Sequence, residues 1–166
     1  EWAAEFEYEL QEAVASRLVG MWSGTNAQEI PLAGAGAQRF RDRLGEVEVS
    51  TRVKVGDERT LRAPLRDQFS TLRWGTVNHC LGIPEQAACL KGLPAEAAAH
   101  GVLPNRCQPT TCGNSVITDE HAPVWIAEER DLLAKLRDRK MADHNREQLE
   151  AELTSVQKIT RRFADA

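Results

Sequence analysis

With 166 residues and a formal net charge of −4, the chain can form one domain, or one domain with an appendage, and a unit of that size buries roughly 70% of the surface its unfolded chain exposes. It has no apolar run near the ~20 residues a membrane span needs and no basic-then-apolar leader, and its acidity is unlike that of a strongly basic nucleic-acid binder. It begins at Glu1 and not at Met, so it is read as a segment of a longer, cytoplasmic protein.

The charge is unevenly spread. Residues 1–38 carry one base, Arg17, against six acids, whereas residues 39–73 carry nine bases against six acids. Residues 74–118 are almost uncharged and the remainder is mildly acidic. Only the 39–73 block offers a local basic face, and the plainer reading of it is a solvated helix surface.

In chain order, Phe6, Leu10, Val14, Leu18 and Met21 recur at helical spacing and predict an amphipathic helix over 1–22, with Trp2 and Trp22 near its ends. Gly24 and Asn26 stop it, and Pro31 follows. A shorter helix is expected from about Gly36 to Leu44, ending at Gly45. The alternation of Val47, Val49, Val53 and Val55 suits a short strand or an extended surface segment. Helical spacing returns over 58–73, with Leu61, Leu65, Phe69 and Leu72 on one face, so Pro64 must fall in the first turn or kink the helix.

From Trp74 to Thr118 there is no long periodic pattern, and four of the seven prolines gather there with all four cysteines. Such a segment buries little by itself and needs another reason to be ordered. Beyond it, Thr118 is a good N-cap, with Asp119 and Glu120 at the positive end of the next helix. Trp125, Leu132, Leu133 and Leu136 form one stripe; after a break near Met141–Asn145, Leu149, Leu153, Val156, Ile159 and Phe163 form another. Two helices with a short connection make an antiparallel hairpin. The expected fold is therefore mainly α: N-terminal helices over 1–73, an irregular, zinc-stabilised Cys-rich segment over 74–118, and a C-terminal antiparallel helical hairpin over 119–166.

The cysteines are spaced Cys80-x8-Cys89-x17-Cys107-x4-Cys112. Metal binding, disulfides and ordinary buried thiols are the three readings. A cytosolic setting disfavours disulfides, and two separated pairs of thiols can supply the tetrahedron that structural Zn2+ requires. Cys107 and Cys112 bracket Gln108-Pro109-Thr110-Thr111, a turn able to bring both sulfurs to one ion. The expected ligands are Cys80, Cys89, Cys107 and Cys112, with His79, His100 or His121 as substitutes for one of them. A catalytic metal would need an open position and a nearby base, and Glu85 and Glu96 are the only acids between 74 and 118. Adjacent His79 and Cys80 are poorly placed for a nucleophile pair. Gly34-Ala35-Gly36 lacks the Lys-Ser/Thr of a phosphate loop and reads as a flexible loop.

Gly75-Thr76-Val77-Asn78-His79-Cys80, Ala87-Ala88-Cys89-Leu90, Asn105-Arg106-Cys107 and Cys112-Gly113-Asn114-Ser115, followed by His121, Pro123 and Trp125, form a pattern. It resembles the C-terminal cysteine-rich region of integrase-like, tyrosine-recombinase-like proteins of mobile elements in high-GC bacteria. The resemblance covers roughly 34–163 and is sharpest from 72 to 126. It implies DNA rearrangement for the parent protein. The recombinase chemistry does not carry over, because the one tyrosine, Tyr8, has no His-x-x-Arg box beside it. The expected function is a non-catalytic accessory domain that binds or positions DNA, with Arg39, Arg41, Arg43, Arg62, Arg66 and Arg73 on phosphates. The rival expectation is a protein-interaction or self-association module using the hairpin's apolar seam.

Overall fold

The computed structural model describes residues 2–22, 26–51 and 58–164. It is mainly helical and divides into two compact units, Glu1–Ile30 with Gln38–Arg73 and Pro31–Ala37 with Trp74–Ala166. Among the described residues, no helix is long and apolar enough to cross a membrane.

The first unit is built from helices α1 (Trp2–Trp22), α2 (Ala37–Thr51, from Gln38 on) and α3 (Glu58–Gln68). α1 packs on α3. Val14, Ala15, Leu18 and Val19 are buried from α1, and Leu61 and Leu65 from α3. The apolar stripe of α1 advances in i+4 steps, and each step turns it about 40° around the helix. Its second half therefore reaches the core while Trp2, Phe6 and Leu10 remain exposed. Asn26 begins a single 3-10 turn, Ala27–Glu29, by accepting the Gln28 N–H at 3.0 Å.

α2 corrects two expectations. It runs through Gly45 to Thr51, so residues 47–51 are helix and not strand. The deciding pattern is Phe40, Leu44 and Val47, at i, i+4 and i+7, all buried, while Val49 is 79% exposed. Val53 and Val55 lie outside the described residues. Phe40 meets Phe69 with ring centroids 5.1 Å apart. Phe69 and Leu72 stay buried beyond the end of α3, held by turns from Phe69 N–H to the Leu65 carbonyl and from Leu72 N–H to the Phe69 carbonyl. Pro64 lies inside α3, where its ring withholds one N–H from the helix.

The second unit is organised on a two-stranded antiparallel ribbon, β1 (His79–Cys80) and β2 (Ser115–Val116), with His79 opposite Val116 and Cys80 opposite Ser115. The segment read as a flexible glycine loop is part of this unit. Ala33 and Ile117 exchange two backbone hydrogen bonds of 2.9 Å, and the Gly36 N–H donates to the Ser115 carbonyl at 2.8 Å. Gly34 adopts φ +89°, and a Cβ at Gly36 would sit 2.9 Å from the Ser115 carbonyl oxygen. The glycines are there for a close backbone crossing.

Residues 81–114 join the strands through single 3-10 turns at Pro84–Gln86, Ala88–Leu90 and Pro104–Arg106 and one short helix, α4 (Ala95–Ala98). After β2 the Thr118 N–H donates to Nδ1 of His121 at 3.0 Å, and the His121 N–H donates to the Thr118 carbonyl. This reciprocal cap leads through a 3-10 turn into α5 (Ala122–Lys135), with Pro123 in its first turn. α6 (Asp143–Thr160) follows and packs on α5. Trp125, Leu132, Val156 and Ile159 join Ala33 and Ile117 in one core, flanked by Leu149, Leu153 and Phe163. Leu133 lies off this seam and is 42% exposed. The Glu129 carboxylate accepts from Gln157 Nε2 and Thr160 Oγ1, tying the two helices polar edge to polar edge. The Arg146 guanidinium donates to the carbonyls of Leu136 and Asp138 at the end of α5.

Candidate functional site

The four thiols come from four separate places in the second unit. Cys80 lies on β1 and Cys89 in the 3-10 turn Ala88–Leu90. Cys107 follows the turn Pro104–Arg106. Cys112 closes the turn in which its N–H donates to the Gln108 carbonyl at 2.9 Å. All four are free. The fold brings them within electrostatic reach of one another: burial pushes the Cys80 thiol up, and Cys112, Cys107 and Cys89 each push it further. Cys107 is raised by partial burial of its sulfur and then by Cys112 and Cys89, although the residue as a whole is exposed. This is a loose convergence. Among the described residues, no three His, Cys, Asp or Glu side chains close into a group able to hold a metal ion.

Around the sulfurs, the hydrogen bonding is mixed: backbone amides donate to three of them, and two thiols donate to oxygen. Backbone hydrogen bonds from Gly82 and Gln108 lower the pKa values of Cys80 and Cys107 against the larger upward effects. The Leu103 N–H donates to Cys89 Sγ at 3.3 Å. The Cys107 thiol faces Asn78 Oδ1 at 3.8 Å and the Cys112 thiol faces the Gln86 carbonyl at 3.7 Å. Amides aimed at sulfur favour the charged form, while clustered thiolates without a cation repel. The donor set, soft and fourfold, is the one Zn2+ prefers, and the surrounding amides are what orients such ligands.

Two of the histidines considered as substitute ligands, His79 and His121, have other partners. His79 is fully buried; its Nδ1 accepts the Gly75 N–H at 3.4 Å, so Nε2 carries the proton toward Glu120 Oε1 at 3.0 Å. His121 Nδ1 accepts from Thr118, and Nε2 donates to the Gly75 carbonyl at 3.0 Å. The two rings meet edge to face at 4.3 Å, and Trp74 meets His79 at 4.1 Å. His100 is exposed just after α4.

This buried polar group is what the sequence reasoning missed as a physical unit, although it had set the same residues side by side. Gly75, His79, His121 and Trp125 are all in it or next to it: Trp125 Nε1 donates to the Val77 carbonyl at 2.8 Å. Asn78 Nδ2 donates to Ser115 Oγ at 3.1 Å and to the His79 carbonyl at 3.2 Å. Asn114 receives the Ile83 N–H and donates to the Ile83 carbonyl at 2.7 Å, pinning the loop after Cys80. The readable signal was polar residues of high hydrogen-bonding capacity in a segment without charge.

The arginine block does not form one face. Arg39 and Arg43, four residues apart, fall about 40° from each other on α2, and Arg41 lies on the opposite side. Arg41 donates twice to the Ile30 carbonyl, at 3.2 and 2.9 Å, and Arg43 to the Gln68 carbonyl at 3.4 Å. Arg62 and Arg66 both turn to Glu12 of α1, at 3.9 and 2.7 Å, and Arg66 also lies 5.3 Å from the centre of the Tyr8 ring. Arg73 is exposed beyond α3, and Arg39 is half-buried.

No family model, characterised protein or solved structure matches this chain.

Proposed function

We propose that this chain is a non-catalytic accessory domain of a larger integrase-like protein, that one structural Zn2+ held by Cys80, Cys89, Cys107 and Cys112 knits its second unit together, and that it positions DNA for the parent. The observation carrying the reading is the convergence of four thiols from otherwise irregular loops, with backbone amides directed at three of the sulfurs. Zinc adds a cross-link to residues 81–114, whose buried apolar side chains other than Leu81 are small, and a cytoplasmic setting keeps the thiols reduced. The role is architectural: a closed set of four thiolates leaves no position for substrate.

DNA enters through the resemblance and the arginine block. Arg41 and Arg66 are engaged within the first unit, so replacing them unsettles the fold as well as any phosphate contact. Arg62, 44% exposed and loosely paired, and exposed Arg73 are the better probes. The hairpin seam of the rival reading is occupied by the core of its own unit.

The test is native mass spectrometry with a free-thiol count on protein purified without added zinc, followed by duplex DNA titrations at several salt concentrations. One zinc per chain, with thiols reactive only after chelation, is expected. Metal-free protein with four freely reactive thiols sinks the zinc reading. For DNA, a log K against log salt slope that flattens by about 2 in Arg62→Glu/Arg73→Glu is expected; an unchanged slope removes those arginines from the interface.

A further inference from the structure

We infer that the chain self-associates through α1 of one copy and the outer face of α5 of another. The inference rests on two exposed stripes and holds whether or not the chain binds DNA. On α1, Trp2, Phe6 and Leu10 are 82%, 60% and 50% exposed, and Trp2 and Phe6 stack at 6.4 Å. Exposed Glu5 and Glu9 border them, and no base occurs before Arg17. An aromatic and apolar stripe of this kind, on the part of a helix that has turned away from its core, is a contact surface.

α5 carries the complement. Ile126 and Leu133, 46% and 42% exposed, lie seven residues apart on one face. Exposed Arg130 lies between them, and exposed Arg137 follows one turn later. The helical phase places Ile126, Arg130 and Leu133 within about 60° of one another and roughly 120° from Trp125 and Leu132, which are buried, and Arg137 lies just past the helix end. α1 against α1 would oppose acid to acid, and α5 against α5 would oppose arginine to arginine. α1 against α5 sets carboxylates beside guanidiniums around an apolar strip, which makes a second copy the occupant that charge selects.

Each stripe is one helix face, smaller than the half share of the ~1,200–2,000 Å² buried in stable interfaces, so the association is weak and salt-sensitive. Sedimentation equilibrium of the full zinc-supplemented chain over a wide concentration range tests it. The weight-average mass should climb above that of the monomer and fall back with added salt. Glu5→Lys/Glu9→Lys and Arg130→Glu/Arg137→Glu should each weaken self-association by on the order of tenfold or more. Mixed one to one, these two variants should associate again, because each α1 then meets an α5 of opposite charge. Trp2→Ala/Phe6→Ala should stay monomeric without changing the helical circular dichroism, since both side chains are exposed. A wild-type monomer at every concentration, or charge-reversed variants that do not recover on mixing, overturns the inference.

Discussion

In the first unit, Val14, Leu18, Phe40, Leu61 and Leu65 reach the core from helices of 11 to 21 residues, whose backbone hydrogen bonds are satisfied locally. In the second, residues 81–114 contain no helix longer than Ala95–Ala98. Their backbone is held by turns and by Asn78 and Asn114, and their thiols lie within electrostatic reach of one another. The first unit is stabilised by ordinary apolar packing. The second has its large apolar side chains beneath α5 and α6, while the buried apolar residues of its loops, apart from Leu81, are small: Ala87, Ala88, Cys89 and Cys112. The difference teaches where a cross-link of the proposed kind has most to add: in the part of the chain whose periodicity has run out.

Removing the metal should separate the units most sharply. Structural zinc contributes about 10–16 kcal/mol in apparent terms to small zinc-folded peptides at neutral pH. After chelation, amides of residues 75–118 should lose hydrogen-exchange protection while those of α1 and α3 keep theirs. α5 should loosen at its start, where His121 and Trp125 hold the Gly75 and Val77 carbonyls. Loss spread evenly over both units would erase the comparison.

The converse perturbation is a cavity in the first unit. Phe40 is fully buried against Phe69, and Phe40→Ala should cost about 3–5 kcal/mol. Exchange should accelerate in α2 and α3, while the zinc stoichiometry of the second unit stays at that of the wild type. Zinc loss caused by this substitution would show that the units fold as one.

The helices were legible in sequence because their evidence is local. Val14 and Leu18, or Val156 and Ile159, announce one face by spacing alone. α2 was misjudged from Val47 onward because a period of two was read across valines, when Phe40, Leu44 and Val47 already kept helical time. The cysteines could be named but not their assembly. Which amides face the sulfurs depends on Gly82, Leu103 and Gln108, residues whose types say nothing about thiolates. The pairing of Ala33 with Ile117 and of Gly36 with Ser115 spans some eighty residues, and no spacing rule reaches that far. The contacts of the arginines lay beyond the same limit: Arg41 and Arg43 meet the Ile30 and Gln68 carbonyls and Arg62 and Arg66 meet Glu12, partners that a run of positive charge does not name.

The smallest effect is the one whose sign is most diagnostic. Without metal, Cys80 is raised first by burial and then by its neighbouring thiols, and Cys107 by partial burial and its neighbours. A folded-state pKa above the unfolded one means that the native chain holds its thiol protons more tightly. That contribution is fully present below the ordinary thiol range, about 8.5, and is lost as pH rises through the folded values. Metal-free protein should therefore melt earlier on the alkaline side, with a slope below the limit of about 1.4 kcal/mol per pH unit for each proton, because Cys107 is exposed and screened. Zinc-loaded protein holds thiolates, for which protons compete as pH falls, so it should lose stability on the acid side instead. Thermal melts of the two forms across pH 5 to 10, at about ten points each, should give slopes of opposite sign in the transition of the second unit. Matching slopes would mean that these sulfurs do not change ionisation when zinc is added, and the four-thiolate site would have to be abandoned.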